Sequence, residues 1–161
     1  MKNICIGLFE GETLPESLAA FKDVKLDLEF GKVTTIYTLH QLDCEKVVVV
    51  GLGDGKKNIK EAFSKVEADD YLVYVTENTA YAAGFGLVYG AYSYKETKVY
   101  DLESDGFKDE FEKGKTVARI VNHAREMSDM PANFLTPDHL VDEAKMVAEK
   151  YGMEIEVLAQ D

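Results

Sequence analysis

The spacing of apolar residues changes several times along the chain, and each change marks a different secondary-structure element. Residues 3–9 (NICIGLF) and 71–75 (YLVYV) are short apolar runs that predict strands. Val47 to Val50 form an unbroken β-branched run that ends at Gly51, which is typical of a strand covered on both faces. The segment KVYDL, residues 98–102, predicts a further strand.

Two neighbouring segments show the alternation of half-buried strands. Residues 24–30 (VKLDLEF) and 33–39 (VTTIYTL) alternate apolar and polar side chains. Gly31 and Lys32 lie between them and fit a tight turn. The sequence therefore predicts a β-hairpin over residues 24–39.

Helical spacing of apolar residues predicts helices over residues 58–67 and 77–94, and a third from about residue 107. The second helix carries small residues on one stripe, which predicts close packing against a sheet. That stripe consists of Ala80, Ala83, Gly84, Leu87, Val88 and Ala91. The third helix is predicted to turn inward Phe107, Phe111, Val117, Ile120, Val121, Ala124 and Met127.

The last part of the chain predicts a capped helix and then a strand. Thr136 fits the N-cap, Pro137 the first helical position and Asp138 the positive end of the helix dipole, while Gly152 fits the helix stop. Residues 153–158 (MEIEVL) predict a strand, which needs a partner for its backbone hydrogen bonds. The apolar stripe of the helix comprises Leu140, Val141, Ala144, Val147, Ala148 and Tyr151.

Length and composition exclude several classes of protein. The 161 residues, 46% of them hydrophobic, suffice for one core plus an appendage. A formal net charge of −12 disfavours nucleic acid and anionic lipid as partners, and the short cluster Lys56, Lys57 and Lys60 indicates a solvated loop. No segment approaches the roughly 18 apolar residues of a membrane span, so we expect a cytoplasmic protein. Cys5 and Cys44 are isolated in apolar segments, which favours free thiols.

The glycine loop GLGDGKKN follows the valine strand and is a candidate phosphate-binding loop. A Walker loop requires glycine where Val50 stands and serine or threonine where Lys57 stands, and a Rossmann loop requires glycine where Lys56 stands. Both signatures fail, so a simple turn at the carboxyl end of a strand is favoured. Ligand binding at Gly51–Gly55 stays open, because ligands of open α/β sheets bind at that end.

The acidic segment DLESDGFKDEFE, residues 101–112, partly matches a calcium-binding loop. Its third position is the longer glutamate, and the segment before it predicts a strand rather than an entering helix. An acidic loop before a helix is the simpler interpretation, since carboxylates favour a first helical turn. The template positions 1, 3, 5, 6, 9 and 12 are Asp101, Glu103, Asp105, Gly106, Asp109 and Glu112.

Histidines near the end of the third helix form another candidate site. His123 and Glu126 lie one helical turn apart and share a face with Arg119 and Asn122, while His139 lies beyond a proline-containing loop. A metal needs more ligands than this spacing brings together, so a solvated polar face is favoured over a metal site. The group His40, Asp43 and Cys44 is equally weak, being spread over a predicted loop and strand edge.

One segment resembles a known family. AREMSDMPANFLTP, residues 124–137, resembles the segment that joins the two domains of the leucine aminopeptidase, or cytosol aminopeptidase, family, whose pattern is A-R-x-L-x-N-x-P-x-N-x-L-T-P. KVVVVGLG at 46–53 and GAYSYKETK at 90–98 are similar to two further landmarks of that family, and Asp129 replaces its usual asparagine. The residues in register are Arg125, Pro131, Asn133, Leu135, Thr136 and Pro137.

The resemblance implies a three-layer α/β fold, similar to macro domains, in which helices flank a mixed sheet and a linker helix and one strand follow. Residues 1–130 would form the N-terminal domain, and residues 131–161 the interdomain linker, helix and first strand of a C-terminal catalytic domain. Family members are hexameric metalloexopeptidases that remove N-terminal residues from peptides. Their two divalent metals, zinc or manganese, bind in the catalytic domain.

The family motifs that supply the metal ligands resemble VGKGITFDSGG and NTDAEGR, and neither occurs in these 161 residues. The resemblance therefore implies no catalytic, cofactor-binding or metal-binding residue in this chain. Its expected partners are its own catalytic domain and the other subunits of a homohexamer, with peptide bound only through the whole enzyme. The alternative is a macro-domain-like module that binds an ADP-ribose type of nucleotide at Gly51–Gly55.

Overall fold

The computed structural model describes residues 2–94 and 100–158, which divide into two compact units, Met1–Asn122 and His123–Asp161. Residues 95–99 lie outside the described residues, and with them part of the predicted strand 98–102 and of the landmark at 90–98. The domain boundary inferred after residue 130 stays a prediction.

A mixed five-stranded sheet forms the centre of the first unit. Its spatial order is β2-β3-β1-β4-β5, with β2 antiparallel to β3 and every other neighbouring pair parallel. The sheet and its helices confirm the predicted α/β class and the strands expected from the apolar runs at the start of the chain, at the valines and at residues 71–75. The strands are β1 Asn3–Leu8, β2 Val33–Tyr37, β3 Lys46–Gly51, β4 Tyr71–Tyr74 and β5 Leu102–Ser104.

The described residues also form four α-helices and one 3₁₀ helix. The first α-helix begins after Asn58, whose side chain accepts a hydrogen bond from the backbone N–H of Lys60. None of the helices in the described part of the chain is long and apolar enough to cross a membrane. The elements are the 3₁₀ helix Glu16–Phe21, α1 Ile59–Phe63, α2 Ala80–Gly90, α3 Lys108–Asp129 and α4 Pro137–Tyr151.

Both faces of the sheet are covered, by different kinds of element. Alternate valines of β3 supply the two cores: Val48 and Val50 pack with the residues of α1 and α2, whereas Val47 and Val49 pack with the 3₁₀ helix. Phe63 of α1 is fully buried in the first of these cores. The valine run is therefore a strand buried on both faces, as its sequence predicts.

Glycines bring α2 unusually close to the helices on either side of it. A Cβ atom at Gly86 would lie 2.4 Å from the carbonyl oxygen of Lys60, and one at Gly90 would lie 2.1 Å from that of Ser64, both on the α1 side. A Cβ atom at Gly84 would lie 2.2 Å from the carbonyl oxygen of Phe111 in α3. The small residues of α2 thus permit helix–helix contact, in addition to the predicted packing on the sheet.

The predicted hairpin over residues 24–39 is wrong. Residues 24–30 form no strand, and β2 pairs with β3 instead, with Val33 opposite Val50. The extended segment before Gly31 passes the end of β3, where the carbonyl of Leu28 accepts a hydrogen bond from the backbone N–H of Gly53. Its alternation therefore comes from packing beside a sheet, with Leu26 and Leu28 against the second core, and not from strand pairing.

The face that α3 buries also differs from the predicted one. Phe107 is 51% exposed and Ile120 is 63% exposed, although both were expected to point inward. The buried residues of the helix are Phe111, Gly114, Lys115 and Ala118. Apolar periodicity misses this face because a glycine and a lysine occupy two of its four positions.

Candidate functional site

The segment between α3 and α4, residues 130–136, is built as a turn. The carbonyl of Pro131 accepts hydrogen bonds from the backbone N–H groups of Phe134, at 2.8 Å, and Leu135, at 3.1 Å. These bonds close a compact loop after the end of α3. The segment is therefore ordered by its own backbone.

Thr136 caps α4 as predicted, and Pro137 occupies the first turn. The hydroxyl oxygen of Thr136 accepts a hydrogen bond from the backbone N–H of His139, and the imidazole Nδ1 of His139 accepts one from the backbone N–H of Thr136. This reciprocal arrangement is a capping box, a motif in which glutamate or glutamine usually takes the histidine's place. This role of His139 was not predicted, although its position three residues after Thr136 is that of the second capping-box residue.

The other polar residues at the end of α3 also have structural partners. Nε2 of His123 lies 3.5 Å from Oε2 of Glu143 on α4, rather than beside Glu126 on its own helix. The side-chain amide of Asn122 donates a hydrogen bond to the carbonyl of Val88 at 2.8 Å. In the described ranges, no three His, Cys, Asp or Glu side chains are placed to hold a metal ion. His123 and Asn122 thus make structural contacts and are not gathered into a metal site.

The C-terminal segment departs from the predicted strand. Residues 153–158 form no strand, and Met153, Ile155, Val157 and Leu158 are all exposed. A strand requires backbone hydrogen bonds to a neighbouring strand, and no described residue supplies that neighbour. The alternating apolar and polar residues of this segment are therefore not paired in a sheet among the described residues.

The predicted apolar stripe of α4 exists but is largely uncovered. Ala148 is the buried residue of this helix, whereas Leu140, Val147 and Tyr151 are exposed. Gly152 ends the helix in the left-handed conformation, with φ of 65°, as predicted. The second unit thus presents exposed apolar side chains on α4 and on the segment that follows it.

Backbone N–H groups at the start of the glycine loop after β3 are hydrogen-bonded to other parts of the chain. The backbone N–H groups of Gly51, Leu52 and Gly53 donate to the carbonyls of Lys32, Leu8 and Leu28. A Cβ atom at Gly51 would lie 2.2 Å from the carbonyl oxygen of Glu29, so the glycine is required by this close approach. These N–H groups are thus used within the fold and do not form a cradle for phosphate.

The acidic segment 101–112 does not form a calcium loop. Asp101 and Glu103 both pair with Lys2, at 2.9 and 2.6 Å, and β5 runs through this part of the segment. Asp105 accepts a hydrogen bond from the backbone N–H of Val75 at 2.9 Å, which ties β4 to the turn after β5. The carboxylates therefore stabilise the edge of the sheet.

A partly buried polar network joins the chain at the starts of β1 and β3 to the segment just before β4. Oδ2 of Asp69 lies 2.8 Å from Nζ of Lys46 and accepts a hydrogen bond from the side-chain amide of Asn3 at 3.0 Å. Oδ1 of Asn3 accepts a hydrogen bond from the backbone N–H of Lys46. Burial opposes the charged form of Asp69, but the hydrogen bonds from Lys46, Asp70 and Asn3 and the charge of Lys46 outweigh it and lower its pKa. The hydrogen bond with Asp69 raises the pKa of Lys46, against a smaller effect of burial.

This network predicts an acid-sensitive contribution to stability. A carboxyl group whose pKa is lowered by folding stabilises the native state above its unfolded pKa and loses that effect as pH falls through the folded value. Asp69→Asn is therefore expected to lower the free energy of unfolding by about 1 kcal/mol at pH 7. The difference from wild type should shrink below the ordinary carboxyl pKa of 3.8. Urea unfolding at pH 7 and at low pH measures both.

The matched control is Asp23→Asn, because Asp23 is an exposed carboxylate without an ion pair or side-chain hydrogen bond to any described residue. Its urea midpoint is expected to equal that of wild type at both pH values. A difference for Asp69→Asn that did not change with pH would contradict the assigned role of its charge.

The turn between β2 and β3 forms an open groove that the sequence did not indicate. The groove has a volume of about 620 Å³, and His40, Asp43 and Cys44 are among its lining residues. Leu39 and His40 both have positive φ, 49° and 68°. The buried hydroxyl of Thr38 donates to the carbonyl of Cys44 and holds the turn closed. Burial raises the pKa of the Cys44 thiol, which makes it a poor nucleophile.

Comparison with proteins of known sequence gives one consistent result. The cytosol aminopeptidase of Rattus norvegicus is 33% identical over 147 residues, an alignment that covers 71% of this chain and 27% of the rat protein. This chain is a relative of the cytosol aminopeptidases. The described α/β fold and the motif at residues 124–137 agree with that relationship. No family model matches the sequence.

Solved structures support the same relationship at the level of the fold. The cytosol aminopeptidase of Coxiella burnetii has a TM-score of 0.69 and 15% identity, covering 99% of this chain and 38% of that one. The bottromycin maturation enzyme BotP, solved in complex with manganese, has a TM-score of 0.70 and 19% identity, covering 94% of this chain and 37% of that one. The chain thus has the fold of an aminopeptidase N-terminal region and spans less than half the length of these relatives.

Proposed function

We propose that this chain is the non-catalytic N-terminal domain of a leucine-aminopeptidase-like metalloexopeptidase, an enzyme that removes N-terminal residues from peptides in the cytoplasm. The observation that carries the proposal is the coverage of the rat relative, which includes 71% of this chain but only 27% of that enzyme. As part of this proposal, the chain packs against the catalytic domain and takes part in assembly of a homohexamer.

The exposed apolar surface of the second unit supports the packing role. Tyr151 is 64% exposed and Leu158 is 85% exposed, and other apolar residues of α4 and of 153–158 are also exposed. Exposed apolar surface of this kind is typical of a site that contacts further protein. Residues 153–158 would become a strand when a neighbouring strand of the catalytic domain is supplied.

The metals of the parent enzyme do not fit the residues described here. Hydrolysis by two metals requires several carboxylates that hold both ions and a water between them. The described ranges contain no group of three such ligands. Four carboxylates of residues 101–112 are engaged elsewhere: Asp101 and Glu103 with Lys2, Glu112 with Lys115 and Asp105 with the backbone of Val75. We therefore assign zinc or manganese to the catalytic domain, and no catalytic or metal-binding residue to this chain.

The activity of the purified chain tests this proposal. We expect no release of leucine from leucyl amide in the presence of manganese or zinc above that of buffer, because no group of metal ligands occurs in residues 2–94 and 100–158. A full-length cytosol aminopeptidase under the same conditions provides the positive control.

The variant Gly114→Ala distinguishes activity of this chain from that of a contaminating host peptidase. It is expected to unfold at a lower temperature than wild type, because its side chain crowds the contact between α2 and α3. Both samples are heated to a temperature at which only wild type stays folded. Release of leucine that is then lost in the variant but kept in wild type would belong to this chain and would overturn the proposal. Release that is equal in both samples would belong to a contaminant.

A further inference from the structure

One edge of the sheet carries no protection against pairing with another strand. β2 is the terminal strand of the sheet. The backbone N–H of Thr38 donates to the carbonyl of Glu45, and the backbone N–H of Gly51 donates to the carbonyl of Lys32. The backbone hydrogen bonds to β3 therefore involve the even-numbered residues of β2 and its flanks. The N–H and C=O groups of the residues between them therefore point away from β3. These residues are Val33, Thr35 and Tyr37, and no described residue is hydrogen-bonded to their backbone on the outer side.

The same three residues also lie on an uncovered face. Val33 and Thr35 are opposite Val50 and Val48, so their side chains lie on the face that α1 and α2 cover elsewhere. Val33 is nevertheless 38% exposed and Tyr37 is 63% exposed. The helical layer thus stops short of β2 and leaves both its edge and one face open.

The opposite edge of the sheet is different. β5 has three residues, and the carboxylates of Asp101 and Glu103 lie along it. Short length and charge are the usual means by which edge strands avoid pairing. β2 has five residues, VTTIY, without charge, proline or glycine. In a chain with a net charge of −12, this neutral strand is the edge at which two copies can approach.

We propose that β2 pairs antiparallel with β2 of a second copy, across a two-fold axis at Thr35. Because residues 33, 35 and 37 all face outward, this register places Thr35 opposite its own copy and Val33 opposite Tyr37 of the second copy. Each opposed pair exchanges two backbone hydrogen bonds, about six in all. The sheets of two copies would then be continuous.

Side chains and charges favour the antiparallel arrangement. A β-branched residue opposite an aromatic residue is a stabilising cross-strand pair, and this register forms two of them by symmetry. Lys32 precedes β2, and the turn that follows β2 contains Asp43 and Glu45. Antiparallel pairing brings Lys32 of each copy to the acidic turn of the other, whereas parallel pairing would bring like charges together. The second copy would also cover Leu39, which is 79% exposed beside the groove.

The mass of the whole chain in solution tests this pairing. We expect sedimentation equilibrium to give a twofold increase in mass between roughly 10 and roughly 500 µM, the range suited to a small interface. Thr35→Lys places two like charges opposite each other at the axis and should keep the chain monomeric throughout. Thr35→Pro removes an outward N–H that β3 does not use, and it should have the same effect.

Thr35→Val is the matched control, because it keeps the backbone donor and the strand propensity, and it should dimerise like wild type. Circular dichroism establishes that each variant is folded, and if the proline variant is not, the lysine variant decides. A monomeric wild type at the highest concentration would overturn the proposal, as would a lysine variant that dimerises like wild type. The pairing rests on the sheet alone and does not depend on the relation to aminopeptidases, so the leucine-release assay can fail without affecting it.

Discussion

Gly114→Ala is expected to lower the free energy of unfolding by about 3 kcal/mol, because it forces two helices apart. A Cβ atom at Gly114 of α3 would lie 2.2 Å from the carbonyl oxygen of Tyr81 and 2.9 Å from the backbone nitrogen of Phe85, both in α2. Backbone atoms within a helix cannot move aside as a flexible side chain can. Alanine favours a helix over glycine by about 1 kcal/mol, and the clash must exceed this gain. Urea unfolding of the purified variant measures the net effect.

Gly106→Ala is the matched control for this prediction. Gly106 precedes α3, and a Cβ atom there would meet nothing within 4 Å. We expect its free energy of unfolding to lie within about 0.5 kcal/mol of wild type. Equal stability of the Gly114 and Gly106 variants would mean that α2 and α3 are not in close contact in solution.

Lys115→Ala is expected to destabilise the fold by about 2 to 3 kcal/mol, because Lys115 is a buried donor. Its Nζ atom donates to the carbonyl oxygen of Leu102 at 2.8 Å and to Oε1 of Glu112 at 2.6 Å. The aliphatic part of the side chain is buried with Phe111, whose ring centroid lies 5.5 Å from Nζ. Alanine would remove the link between α3 and β5 and would leave the carbonyl of Leu102 without this donor. Thermal and urea unfolding both report the loss.

Lys113→Ala is the control that separates the loss of the buried hydrogen bonds of Lys115 from the loss of one positive charge on the same helix. Lys113 is two residues away on the same helix, and its Nζ atom lies 3.7 Å from a carboxylate oxygen of Glu110 at the surface. Exposed pairs of this kind contribute little, so we expect a change below about 0.5 kcal/mol. A Lys113 variant as unstable as the Lys115 variant would show that total charge, and not the buried hydrogen bonds, is responsible.

Features that depend on neighbours in the sequence were predicted well. The valine run of β3, the cap at Thr136 and the stop at Gly152 are all present in the structure. Each is decided within a few residues, by side-chain branching, by a hydroxyl near free N–H groups, or by the freedom of glycine at positive φ. The alternation at 24–30 shows the limit of such patterns, since a strand also needs a partner and that segment has none.

The candidate sites were harder to predict because their chemistry depends on distant residues. Asp101 and Glu103 matched a calcium template by spacing, yet both pair with Lys2, about 100 residues earlier in the chain. The glycine loop resembled a ligand site, yet the N–H groups of Gly51 and Gly53 donate to carbonyls of the segment before β2. Spacing along the chain gives no information about partners that only folding brings into reach.

The sequence by itself determined the class of fold, the strands β1, β3 and β4, the two ends of α4 and the kinship with aminopeptidases. Only the tertiary structure decided which face of α3 is buried, where β2 pairs and which edge of the sheet stays open. The physical reason is that burial of Lys115 and Gly114 requires a carbonyl of β5 and a backbone turn of α2 at short distance. Apolar periodicity records the average preference of a side chain for water, whereas these contacts depend on the particular atoms that it meets.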